Sequence, residues 1–272
     1  MSIVTTNWLF NNLDRVKIID SSWHLPNKNR NAIKEYSNEH IINSIFFDID
    51  KNSNQYTDLP HMLPLVEVWE DIVSGLGISN NDNIIIYDNS DVISSCRCWY
   101  TFRYFGHEPS LVSVLDGGLK KWKQEGKPTV NNKTIINKSI YKAKENKKMV
   151  KSKIEIDKNI NEEIFKLIDA RSHERFKGSV PELRPHLKSG SIKGSSCLPF
   201  TQIINKNNNT FKNKAELNQI FKEFINTQDN NIVFTCGSGV TASVLALAYS
   251  LINTKYNPTI YDGSWSEYGL IK

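Results

Sequence analysis

Short apolar runs alternate along this chain with longer stretches whose apolar residues recur at three- and four-residue intervals. Ile232, Val233 and Phe234 read as a short buried strand, and Val244, Leu247, Ala248 and Leu251 then mark one face of a helix. The run 84-IIIYD-88 has the same strand character, and Cys96 and Cys98 fall at the start of an amphipathic helix. Strands alternating with helices predict an α/β fold: an open, mainly parallel sheet flanked by helices on both faces.

The pattern occurs twice. The run 17-KIIDSSW-23 matches 166-KLIDARS-172, 84-IIIYD-88 matches 232-IVFTC-236, and 115-LDGGLKKW-122 matches 261-YDGSWSEY-268. Aligning Asp20 with Asp169, Asp88 with Cys236 and Asp116 with Asp262 gives offsets of 149, 148 and 146 residues. A near-constant offset over three separated blocks predicts a duplicated domain, and two copies are too few for a solenoid. The expected division is a first domain over 1–130, a Lys/Asn-rich linker over 131–153, and a second domain over 154–272.

Charge sharpens the division. Residues 127–153 hold nine lysines against one glutamate, a balance of +8 in a chain of net charge +5, so the remainder stands at −3. The basicity belongs to one segment without clear apolar periodicity, which reads as a solvated linker and gives no reason to expect nucleic acid. At 272 residues with 39% hydrophobic and 23% charged positions, the composition is that of a globular protein, and no apolar run approaches membrane-spanning length. The start lacks a secretory pattern, so the cytoplasm is the expected compartment, with a mitochondrial location left open. Four cysteines at irregular spacing suit neither a disulfide scaffold nor a zinc site, and no metal is expected.

Candidate chemistry centres on 236-CGSGVTA-242. A cysteine in a strand-to-helix turn flanked by Gly237 and Gly239 can lie in a nest of main-chain N–H groups at the positive end of a helix, a setting that favours thiolate over thiol. The same residue would equally suit a small buried apolar position at a strand end. At the position matching Cys236 the first copy carries Asp88, which cannot act as a sulfur nucleophile, so at most one half performs thiol chemistry. A cysteine phosphatase would need an arginine where Ala242 stands, and no arginine follows Cys236.

The sequence resembles the two-domain rhodanese-like sulfurtransferases, and within them the 3-mercaptopyruvate sulfurtransferases. The resemblance is carried by 97-RCWYTFRYFGH-107, 115-LDGGLKKW-122, 169-DARSHERFKGS-179, 190-GSIKGS-195, 236-CGSGVTA-242 and 261-YDGSWSEYG-269. It implies two tandem rhodanese-like domains, the first catalytically inactive, with Cys236 as nucleophile and the amides of Gly237, Ser238, Gly239, Val240 and Thr241 around its sulfur. It implies also that Arg175 and Arg184 bind the donor's carboxylate and keto oxygen, and that Ser238, His61 and Asp50 form a proton relay. Taken without the resemblance, Arg175 and Arg184 would be ordinary surface arginines, His61 a loop histidine and Asp50 a solvated or capping acid. Asp48 is the competing choice for the third relay position.

The implied reaction moves sulfur from 3-mercaptopyruvate to Cys236 as a persulfide, releases pyruvate, and passes the sulfur to a thiol, a small molecule or a thioredoxin-like protein, or to cyanide in vitro. It needs no cofactor. Thiosulfate is the alternative donor, disfavoured because the loop holds no charged side chain to meet a dianion. A non-catalytic persulfide carrier is the remaining alternative, and a monomer is the expected state.

Overall fold

The computed structural model describes residues 2–226 and 229–271. Among these residues the chain forms two compact units. The first contains 2–55, 63–146 and 206–210, and the second contains 56–62, 147–205, 211–226 and 229–271.

The first unit is built on five parallel strands: β1 (Ile3–Val4), β2 (Lys17–Asp20), β3 (Ser44–Phe46), β4 (Ile84–Tyr87) and β5 (Val112–Leu115), in the order β1-β5-β4-β2-β3. The second has β6 (Val150–Lys151), β7 (Lys166–Asp169), β8 (Ser196–Cys197), β9 (Ile232–Thr235) and β10 (Ile260–Tyr261), in the order β6-β10-β9-β7-β8. Strand for strand, the two orders are the same. Helices flank each sheet, and the central strands β4 and β9 are buried along their whole length, which is why both read as unbroken apolar runs rather than alternating ones.

Register decides where the chemistry can sit. Lys17 to Asp20 pair with Ile84 to Tyr87, and Lys166 to Asp169 pair with Ile232 to Thr235. The residue after each central strand, Asp88 in one unit and Cys236 in the other, therefore emerges at the carboxyl edge of its sheet, where open α/β sheets place their ligands.

Local sequence sets the helix starts. Ser152 with Glu155, and Asn213 with Glu216, form reciprocal capping boxes on the helices Lys153–Glu162 and Lys214–Lys222. Two helices depart from the one-faced pattern expected of them. In Ser95–Tyr104 every residue but Arg103 is buried, and in Val240–Ile252 all positions from Ala242 to Tyr249 are buried. The small side chains Ala242, Ser243, Ala246 and Ala248 let neighbours approach from several sides: β9, the helix Lys214–Lys222 and the turn Phe200–Ile203 all pack on the second of these helices.

Over 131–146 the Lys/Asn-rich segment has no regular secondary structure, but it is bound along the first unit. Ser139 N–H donates to the Ser74 carbonyl at 3.0 Å, Lys144 N–H to Phe105 at 3.0 Å and Asn146 N–H to Tyr104 at 2.7 Å, while the Tyr141 ring is buried beside His107. Its lysines remain at the surface, one of them paired with Glu70.

Candidate active site

From the end of β9 the chain turns through 236–239 into the helix Val240–Ile252. Cys236 opens the turn and is only 2% exposed. Gly239 caps the helix at φ +80°, a left-handed conformation that glycine adopts without a Cβ penalty. Among the described residues no hydrogen bond occupies the main-chain N–H groups of 237–241. They are the orphan donors of a helix start, and with the positive end of the helix dipole they suit an anion.

The turn is held by the segment that follows β10. Cys236 N–H donates to Ser264 Oγ at 3.3 Å, and Trp265 N–H donates to the Cys236 carbonyl at 2.9 Å. Ser266 donates twice to the Gly237 carbonyl, through its N–H at 2.8 Å and its hydroxyl at 2.6 Å. Ser264 itself sits at φ +48°, unusual for a residue with a Cβ, and its hydroxyl donates to the Tyr261 carbonyl at 2.8 Å.

His61 is the sequence-distant member of the site. Although it belongs to the first half of the sequence, the segment 56–62 packs within the second unit, and His61 Nδ1 lies 2.8 Å from Ser238 Oγ. Both side chains are buried, and His61 holds a left-handed backbone at φ +62°. Asp50 belongs to the first unit, where its exposed carboxylate accepts a bond from Trp23 Nε1 at 2.9 Å. Asp48 accepts the Lys51 N–H at 3.1 Å and pairs with the Lys51 ammonium, a local turn.

The two arginines reach the turn by different routes. Arg184 Nη1 donates to Ser266 Oγ at 3.4 Å, the same hydroxyl that holds the Gly237 carbonyl. Arg175 rises from the short helix His173–Lys177, capped by Ser172, and its Nη2 lies 3.2 Å from where a Cβ on Gly237 would stand. Its head is fixed by Glu182, which accepts from Nη2 at 2.5 Å and Nε at 3.3 Å. The buried Glu182 carboxylate also accepts from Arg171 Nη1 at 2.7 Å. Arg171 in turn grips Asp169 through Nε and Nη2, donates to the Gly190 carbonyl and lies 4.6 Å over the Trp265 ring. Burial opposes the Arg171 charge, yet Asp169 and Glu182 outweigh it and hold its pKa above the ordinary value.

Sequence reasoning singled out Cys236, Ser238, His61, Arg175 and Arg184, which all lie in the second unit, and Asp50, which lies in the first. It missed Glu182, Arg171, Ser264 and Ser266. The repeat block 261-YDGSWSEY-268 already contained the two serines, and the equivalent block of the first unit holds its turn in the same way: Leu119 N–H donates to the Asp88 carbonyl at 2.9 Å as Trp265 does to Cys236. In that first-unit turn the Asp88 carboxylate itself accepts Ser90 N–H at 2.9 Å, Ser90 Oγ–H at 3.1 Å and Ser95 N–H at 3.0 Å, while burial raises its pKa.

Two five-stranded parallel sheets of one topology, one of them carrying a buried cysteine in a glycine turn, define the class. The chain belongs to the rhodanese-like domain family, whose model matches it twice, over residues 5–125 and 152–270. It is similar to thiosulfate/3-mercaptopyruvate sulfurtransferase 1, mitochondrial, of Arabidopsis thaliana, 36% identical over 289 residues that cover 98% of this chain and 75% of that protein. It is similar also to the 3-mercaptopyruvate sulfurtransferase of Mus musculus, 36% identical over 255 residues, covering 93% of this chain and 84% of that protein. Among solved structures, SseA from Escherichia coli, described as a 3-mercaptopyruvate sulfotransferase, superposes with a TM-score of 0.86 at 32% identity, covering 98% of this chain and 100% of that one. No helix among the described residues is long and apolar enough to cross a membrane.

Proposed function

We propose that this chain is a sulfurtransferase that takes sulfur from 3-mercaptopyruvate onto Cys236 and delivers it to a thiol. The observation that carries the reading is the turn at Cys236, with unoccupied N–H groups at a helix start and a serine–histidine pair beside it. Enzymes of this class act on small sulfur donors, and the similar proteins bear the names of two such donors.

In the proposed reaction the donor's carboxylate and keto oxygen dock on Arg175 and Arg184, whose guanidinium N–H groups suit planar oxygens. The Cys236 thiolate attacks the donor sulfur. A sulfur–sulfur bond forms, the carbon–sulfur bond breaks, and its electron pair leaves with carbon as the enolate of pyruvate. The enolate carbon takes a proton, for which Ser238 bonded to His61 is the positioned source, with Asp50 as the proposed third member of the relay. Cys236 is left as a persulfide facing the loop amides. An acceptor thiolate, on a small molecule or a thioredoxin-like protein, then attacks the outer sulfur and returns Cys236 as thiolate; cyanide would leave as thiocyanate.

Asp88 supports a non-catalytic first domain, because a carboxylate already takes the N–H groups that a sulfur anion would need there. The uncharged loop favours mercaptopyruvate, a monoanion, over thiosulfate, a dianion. The cytoplasm is the proposed location, with a mitochondrial one left open. A monomer is the proposed acting form.

The test compares kcat/KM for mercaptopyruvate and thiosulfate with Cys236→Ser as the blank, and follows intact mass after donor treatment. The expected result is preference for mercaptopyruvate and a 32 Da gain on Cys236, roughly one sulfur atom. Activity that survives Cys236→Ser, or equal use of thiosulfate, would overturn the enzyme class or the donor assignment respectively.

A further inference from the structure

Resting on that sulfurtransferase reading, we propose that Glu182 is the residue that sets the charge of the acceptable sulfur donor, acting through Arg175. Neither its position nor its sequence surroundings, 181-PEL-183, advertise the role.

The argument is one of charge and fixed geometry. Glu182 is held from behind by Arg171, every nitrogen of which is engaged: Nε and Nη2 on Asp169, Nη2 also on the Gly190 carbonyl, and Nη1 on Glu182 itself. Asp169 is the last residue of β7, so the anchor is part of the sheet. Glu182 cannot retreat into water, because its side chain is only 2% exposed. Its Oε2 accepts from Arg175 Nη2 while Oε1 is shared between Arg175 Nε and Arg171 Nη1, so Glu182 occupies one of the two edges by which the Arg175 guanidinium could grip a carboxylate or sulfonate bidentately.

Two consequences follow for a donor at Gly237. Arg175 offers it the remaining N–H groups of Nη1 and Nη2, the end of the guanidinium that lies nearest Gly237. The Arg175 charge is also matched by a buried anion next to it, as the Arg171 charge is matched by Asp169. The positive charge presented to the donor is therefore lower than a count of arginines implies. A monoanionic keto acid is neutralised by what remains, whereas a dianion brings a second negative charge that Arg175, already paired with Glu182, does not compensate in a partly buried site, where like charges interact strongly.

The experiment measures kcat/KM for both donors, with cyanide as acceptor, in the wild-type chain, Glu182→Gln and Glu182→Asp. Glu182→Gln keeps the shape and one acceptor oxygen while removing the charge. It should raise the thiosulfate-to-mercaptopyruvate ratio of kcat/KM by about tenfold or more, chiefly through a lower KM for thiosulfate. Glu182→Asp keeps the charge while loosening Arg175, and should lower both efficiencies while leaving their ratio within about twofold. A folded, active Glu182→Gln whose ratio equals that of the wild type overturns the proposal and leaves the sulfurtransferase reading standing. Absence of a persulfide on wild-type Cys236 overturns both. If Glu182→Gln does not fold, inhibition of the wild type decides: pyruvate should inhibit at lower concentration than sulfate at equal ionic strength, and the reverse order overturns the assignment.

Discussion

His61 Nδ1 and Ser238 Oγ lie 2.8 Å apart, and 177 residues of chain separate them. The contact pairs a buried imidazole with the hydroxyl two residues beyond Cys236. A proton is needed when a carbanion-like enolate departs, but not when sulfite departs as a stable anion. His61→Ala and Ser238→Ala should therefore each reduce kcat with mercaptopyruvate by about 10- to 100-fold, and the double variant should lose no more than the weaker single variant. With thiosulfate the same variants should change kcat by less than about threefold. Equal losses with both donors would assign the pair to folding of the turn instead.

How much of this was readable in the residues depends on the distance over which each feature acts. The strand, glycine turn and helix around Cys236 are contiguous, and the repeated blocks showed that one α/β domain occurs twice. The Arg175–Glu182–Arg171–Asp169 chain was not readable, because acids and arginines in a loop look like solvated surface until burial is known. The packing of 56–62 with the second unit was not readable from local pattern for a related reason, since that segment has no periodicity; only the family resemblance, which pairs His61 with Ser238, pointed to it. The all-round burial of Val240–Ile252 escaped because its large apolar residues mark one face, while alanines on the others record only that neighbours come close.

Asp20 and Asp169 end equivalent strands, but Asp169 is bonded by Arg171 and the position equivalent to Arg171 in the first unit is Ser22. Burial, partly offset by bonds from Ser22 and Tyr87 and reinforced by Asp88, raises the Asp20 pKa from 3.8 to about 6. A raised carboxyl pKa means that the fold prefers the protonated form. Its stabilising contribution is complete below about pH 4 and is lost as pH rises through about 6, at a cost on the order of 2–3 kcal/mol by neutral pH. Asp20→Asn keeps an oxygen for the Ser22 N–H, so it should raise the melting temperature at pH 7.5 and leave it unchanged at pH 4. A variant equally destabilised at both pH values would show that the ionised carboxylate is needed.

Gly118 stands at φ +54°, and a Cβ there would come within 2.4 Å of the Asp88 carbonyl oxygen, which is main chain and cannot swing aside. Gly118→Ala should destabilise the first unit by about 2 kcal/mol or more, read as a lower denaturation midpoint. The persulfide-forming capacity of Cys236 in the protein that remains folded should be unchanged, because the substituted turn carries Asp88 and no sulfur.

Ser266 tests the brace on the other turn. Its hydroxyl donates to the Gly237 carbonyl at 2.6 Å and accepts from Arg184 at 3.4 Å, so one oxygen holds both the loop and a proposed donor-binding arginine. In Ser266→Ala the N–H bond to the same carbonyl survives, and the fold should lose only about 1 kcal/mol. The larger effect should fall on Arg184, whose head loses a partner at the turn. KM for mercaptopyruvate should rise by about five- to tenfold with kcat lowered less than twofold, the pattern of lost ground-state binding. Ser266→Thr retains the hydroxyl and should restore most of that loss. A fall in kcat at constant KM would instead place the Ser266 hydroxyl in service of the Cys236 sulfur, through the carbonyl it orients.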